Sequence, residues 1–133
     1  MTLGCCYMSL GQYAKAVTLL EKARKLLEKA RESGAAKAGN ADETGYSYET
    51  HDTAHPSNAH LSLHYTAHGD VCIALGNCYI SLGEHNKAII MYGQGRRCME
   101  EVGDRAGQGK SCAGLGNCYM SLGQYDKAMK MYE

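Results

Sequence analysis

The chain has no tryptophan, no phenylalanine and a single proline, and its charges cancel at 14 Lys+Arg against 14 Asp+Glu in 133 residues. Zero net charge removes the electrostatic case for DNA, RNA or an anionic membrane as a partner, because those surfaces select a basic excess. Long apolar runs are missing too. The best, Val71 to Leu75, falls far short of the roughly 18 residues that mark a membrane span. The opening Met1-Thr2-Leu3-Gly4-Cys5-Cys6-Tyr7 lacks the basic start and apolar stretch of a secretion signal, so a cytoplasmic, reduced chain is expected. Its seven cysteines are an odd number and contain no Cys-x-x-Cys, which argues against a closed disulfide framework and a zinc knuckle. What remains is ordinary: 44% hydrophobic content, 16 glycines and ten tyrosines.

The chain repeats itself. Leu75-Gly-Asn-Cys-Tyr-Ile-Ser-Leu-Gly83 recurs as Leu115-Gly-Asn-Cys-Tyr-Met-Ser-Leu-Gly123, with the leading leucines 40 residues apart. Leu3-Gly-Cys-Cys-Tyr-Met-Ser-Leu-Gly11 is a third copy, and each copy continues alike: Gln12 to Ala16, Glu84 to Ala88, Gln124 to Ala128. Within the second copy Leu75, Tyr79 and Leu82 share one helix face, Gly83 supplies a left-handed stop, and Ala88, Met91 and Tyr92 form a second stripe. Ala88 and Gly76 are small where two helices cross closely. Each copy therefore reads as a helix, a glycine turn and an antiparallel helix, a pair too short to bury its own apolar face without neighbours.

Leu75, Gly76, Tyr79, Ala88 and Tyr92, repeated as Leu115, Gly116, Tyr119, Ala128 and Tyr132, resemble the tetratricopeptide repeat signature. The first copy offers Leu3, Gly4, Tyr7 and Ala16, with Leu20 in the aromatic place. Two departures stand out: Cys72 and Cys112 occupy the tryptophan position, and Glu100 stands where the signature ends in proline. The 40-residue period and the junction Gly103-Asp104-Arg105-Ala106 are similar to LGN/Pins-like arrays, the G-protein-signalling modulators. The resemblance implies an all-α, right-handed α-solenoid of antiparallel helix pairs, about three partial repeats.

Helices are expected over 12–33, 60–82, 84–102, 104–122 and 124–133, with Gly103 closing one helix and Asp104 capping the next. In the helix from 12, Leu19, Leu20, Ala23, Leu26, Leu27 and Ala30 form the apolar stripe, and a Glu21–Lys25 pair lies on the solvated side. The resulting division is 1–33, a truncated first repeat; 34–58, a flexible insertion; 59–102, a second repeat; and 103–133, a truncated third. Successive Leu-Gly landmarks 72 residues apart place the insertion, which carries Pro56 and no helical stripe. A piece of a longer array is the simplest account of such open ends, and exposed edges of that kind favour self-association.

The resemblance also implies a function: a non-catalytic interaction scaffold or adaptor that holds a partner's peptide in its concave groove. Asn77 and Asn117, two residues after the landmark leucines, take the role of backbone clamp, since an amide carries both a donor and an acceptor. Lys110 matches a basic groove position suited to an acidic ligand side chain, and Ile73, Ile80, Ser81, Met120 and Ser121 complete the lining. Alternatively the asparagines are solvated and the array is a structural spacer. A third reading rests on the histidines, five of which fall at His51, His55, His60, His64 and His68. The four-residue step of His60, His64 and His68 suits a zinc, copper or nickel ion. No cofactor is implied. Cys6, Cys78 and Cys118 recur at one repeat position, the behaviour of packing residues and not of a nucleophile, and no base or oxyanion site accompanies them. Gly103, Gly107 and Gly109 lack the spacing of a phosphate loop.

Overall fold

The computed structural model of the chain describes residues 7–39 and 56–133. Residues 7–9 are helical (α1) and are followed by α2 (Tyr13–Gly39), α3 (Pro56–Ser81), α4 (His85–Val102), α5 (Arg105–Ser121) and α6 (Tyr125–Tyr132). No strand occurs among the described residues. Each helix packs most on its neighbours in sequence, and α3 also touches α5, so the pairs stack into an all-α solenoid. No helix among the described residues is long and apolar enough to cross a membrane.

The turns follow the glycines. Gly11, Gly83, Gly103 and Gly123 all have φ between 70° and 75°, a conformation open to glycine and strained for other residues. At Gly103 the turn closes with Gly103 N–H on Glu100 O and Asp104 N–H on Met99 O, the paired bonds that satisfy a helix's last carbonyls. Asp104 then caps α5, its Oδ1 accepting from Gly107 N at 3.0 Å.

Two boundaries differ from expectation. Helix α2 continues to Gly39 and α3 begins at Pro56, so 34–39 and 56–58 are helical and not loop. Ala35, Ala36, Lys37 and Ala38 are strong helix formers that carry the helix past Gly34. Proline suits the first helical position, where its missing N–H has no helical partner to lose. The rest of the expected insertion lies outside the described residues, as do His51, His55, Cys5 and Cys6.

The core is built at the crossings. Ala16, Leu20, Leu75, Cys78 and Met91 form one cluster, and Ala88, Tyr92, Leu115 and Cys118 form a second, the same positions one repeat later. Fully burying a side chain such as Leu75 or Met99 stabilises by about 2 kcal/mol. Helix α4 presses two large residues into glycines on both sides. A Cβ on Gly76 would meet the Tyr92 ring at 2.8 Å, and one on Gly114 would meet it at 2.4 Å. Met99 likewise lies 2.7 Å from such an atom on Gly69 and 2.6 Å from one on Gly107. The expected close crossings at Gly76 and Ala88 are present. Leu26 and Leu82, by contrast, are 67% and 42% exposed. Leu82 lies past the end of α3, and Leu26 sits on the edge of a stripe broader than the face α3 covers.

Candidate functional site

Helices α3 and α5 are the first helices of consecutive pairs, and between them runs a cavity of ≈ 490 Å³ lined in part by Ile73, Asn77, Ile80, Ser81, Lys110 and Asn117. Tyr92, Ala113 and Gly114 complete its walls. The repeat period brings Asn77 and Asn117 together, because each occupies the third place of a Leu-Gly-Asn run on adjacent helices. Both asparagines are exposed, and so is Lys110. Met120 and Ser121 do not join this lining. They lie further along α5, where Met120 is half-exposed and Ser121 donates to Asn117 O at 3.0 Å. Ser81 makes the equivalent bond to Asn77 O at 3.1 Å.

The asparagines are not free amides. Tyr92 Oη donates to Asn77 Oδ1 at 2.5 Å, and Tyr132 Oη donates to Asn117 Oδ1 at 2.6 Å. Burial pushes the Tyr92 hydroxyl up to about 12, which keeps it protonated and therefore a donor at physiological pH. Sequence reasoning reached Tyr92 as the aromatic core position but not the hydroxyl's partner, 15 residues away on another helix.

The histidines are arranged differently from the expected metal stripe. His60 is exposed near the start of α3, while His64 Nε2 lies 2.6 Å from Leu27 O on α2. His68 turns Nδ1 to Cys98 Sγ at 3.2 Å and Nε2 towards Glu28 Oε1 at 3.7 Å. The three rings therefore do not converge on one ion: successive side chains serve different neighbours in the crevice between α2, α3 and α4. Among the described residues no group of three His, Cys, Asp or Glu side chains is placed to hold a metal. His64, His68, Glu28, Glu32, Gln94 and Cys98 are among the residues that line a cavity of ≈ 260 Å³ there. Burial holds His68 below the usual histidine range, the nearby Glu28 acting in the opposite sense.

Three of the four described cysteines at repeated positions are packing residues, and the fourth, Cys112, is only half-buried. Cys72, Cys78 and Cys118 are fully buried, and desolvation pushes the Cys72 thiol up to about 12 and raises that of Cys118. The expected Glu21–Lys25 pair is replaced: Glu21 Oε2 accepts from Arg24 at 3.0 Å and Oε1 from Tyr79 Oη at 3.2 Å. Arginine's planar fork reaches both Glu21 and Glu28 from the same face.

Among known proteins, two family models described as tetratricopeptide repeat match the chain. One covers residues 1–30 and the other residues 69–95 and 109–133, together more than half of its length. Comparison with curated proteins gives no match.

Proposed function

The chain belongs to the tetratricopeptide repeat family, and from that premise we propose that it is a non-catalytic adaptor which holds a peptide of a partner protein between α3 and α5. Repeats of this family generally mediate protein–protein interaction, and stacked pairs bind along their extended inner surface. The observation that carries the reading is the meeting of Asn77, Asn117 and Lys110 in one open cavity with Ile73 and Ile80. The amides supply polar contacts to a peptide backbone, Lys110 attracts an acidic side chain, and the isoleucines take an apolar one. Met120 and Ser121 would extend the contact along α5.

The 40-residue period and the Gly103 to Ala106 junction support a place among the LGN/Pins-like arrays. A cytoplasmic location and a protein partner, with neither nucleic acid nor membrane bound, agree with the balanced charge. Exposed Tyr125, Met129 and Tyr132 on α6 support self-association as a secondary property. A structural spacer is the competing reading, favoured by the tyrosine bonds that the asparagines already make.

Replacing both clamps, Asn77→Ala with Asn117→Ala, should reduce the recovery of bound partners from cell lysate about tenfold or more, with helical circular dichroism unchanged. Equal recovery by the variant would support the spacer instead.

A further inference from the structure

The two asparagines of the groove differ from ordinary surface amides in one respect: each has its carbonyl oxygen engaged from behind by a tyrosine of the second helix. The distances, 2.5 Å from Tyr92 Oη to Asn77 Oδ1 and 2.6 Å from Tyr132 Oη to Asn117 Oδ1, repeat the same contact one period apart. Tyr92 is buried, so its hydroxyl needs an acceptor, and the amide oxygen of Asn77 supplies it. Tyr132 makes the same bond from a half-exposed position and also reaches Met120 Sδ at 4.0 Å. The tyrosine takes the oxygen end of each amide, the NH2 group is the other end, and both asparagines line the cavity.

The sequence carries an independent sign that hydroxyl and amide form a unit. In the copies starting at Leu75 and Leu115 the pairs are Asn77 with Tyr92 and Asn117 with Tyr132. In the copy starting at Leu3 both members change together, to Cys5 and Leu20. Packing alone does not couple them. Leu20 is as well buried in its cluster as the aromatic ring is in the next, so a hydrocarbon side chain satisfies the core without a hydroxyl. The hydroxyl is present where there is an amide to hold.

We propose that Tyr92 and Tyr132 are positioning residues that lock Asn77 and Asn117 with their NH2 groups outward, so that the groove presents hydrogen-bond donors and selects a ligand segment through its acceptors. This rests on the groove reading above. The amides meet peptide carbonyl or side-chain carboxylate oxygens through their NH2 groups, while each oxygen already accepts a tyrosine hydroxyl. Lys110 adds a third donor, and among the described residues no acidic side chain lines the same cavity. The fitting class of ligand is an acidic, extended peptide segment.

The test uses the full chain and a fluorescein-labelled peptide of ten glutamates, with ten lysines as control. The Asn77 and Asn117 side-chain NH2 signals are followed by NMR in the wild type and in Tyr92→Phe with Tyr132→Phe, which keep the rings on Gly76 and Gly116. Both signal pairs should move towards the positions of unstructured asparagine, and affinity for the glutamate peptide should fall about tenfold with the melting profile still cooperative. Tyr92→Phe alone gives the same readout at Asn77 if the double variant does not fold. Asn77→Asp retains an acceptor for Tyr92 but removes the donors, and should lose the glutamate peptide altogether. Unmoved NH2 signals, or unchanged glutamate-peptide affinity in the phenylalanine variants, would overturn the lock. Moved signals in a protein whose wild type binds neither peptide would uphold the lock and count against the groove reading.

Discussion

The two places where one helix pair meets the next are built from different material. At the α4–α5 junction the large residues Tyr92 and Met99 of α4 press against Gly114 and Gly107 of α5, and only two residues, Gly103 and Asp104, link the helices. At the α2–α3 junction the equivalent large residue is Leu20, and Ala74 packs against its cluster at the position equivalent to Gly114. Further along that seam lie His64, His68, Glu28 and Arg24; His64 Nδ1 is buried with no hydrogen-bond partner among the described residues, and His68 Nε2 faces Glu28. One geometry is thus achieved in two ways. The first matches a large side chain to a missing one; the second matches intermediate sizes and fills the remainder with titratable groups. Size matching is insensitive to pH, whereas the polar seam depends on the charge that His68 carries.

The sharpest way to break the α4–α5 side is Gly114→Val. Its Cβ alone would meet the Tyr92 ring at 2.4 Å, and the added methyl groups crowd the ring further, so a loss of about 3 kcal/mol is expected. Gly109→Val, on an open part of the same helix, should cost well under about 1 kcal/mol. Urea unfolding of the two variants checks the contrast, and equal losses would show that Tyr92 can be accommodated elsewhere.

A smaller effect should transplant one junction's solution into the other. Leu20→Tyr alone overfills the cluster it shares with Leu75 and Ala74, at a cost of about 2 kcal/mol. Adding Ala74→Gly should recover part of it, with a coupling of about 1 kcal/mol in a double-mutant cycle. Strict additivity would mean that the glycine–tyrosine match is not a local pairing.

The smallest expected effect is pH dependence confined to the α2–α3 side. Burial lowers the His68 pKa below its unfolded value near 6.5, so the unfolded chain binds the proton more readily. The contribution to stability is therefore complete above about pH 6.5 and is lost as pH falls through the folded pKa. Glu28 on α2 attracts a proton to His68, and His64 and Arg24 oppose it, so the net sign is that of desolvation. Hydrogen exchange should show α2 loosening between pH 7.5 and 5.5 before α5 does, and His68→Gln should flatten that difference. Uniform loosening of α2 and α5 would assign the pH effect elsewhere.

Much of the architecture was legible because a repeat states its own rules three times. The recurrence of Leu-Gly-x-Cys-Tyr and of the turn glycines located the helix pairs, and Gly103 with Asp104 gave the α4–α5 link. Periodicity also placed Asn77 and Asn117 on adjacent helices, which is why those residues and Lys110 fall in one cavity. It failed where a local pattern had several ways to be used. The broad stripe of α2 did not say that Leu26 would stay outside, and the charges around Glu21 did not say that Arg24 would win over Lys25. Nor did the four-residue step of the histidines reveal that they would face different neighbours.

The sequence by itself determined the helix pairs, their glycine turns and the residues that alternate large and small along the stack. Those depend on spacing within a single helix, where backbone hydrogen bonds and side-chain size act over a few residues. Only the tertiary structure decided that Tyr92 and Tyr132 donate to Asn77 and Asn117 and that His68 faces Glu28 and Cys98. Such contacts join side chains on different helices, and a hydroxyl or imidazole can take any partner that packing brings within about 3 Å. The repeat therefore announces which residues meet between α3 and α5, and the stacking of the helices decides which side chains they bond.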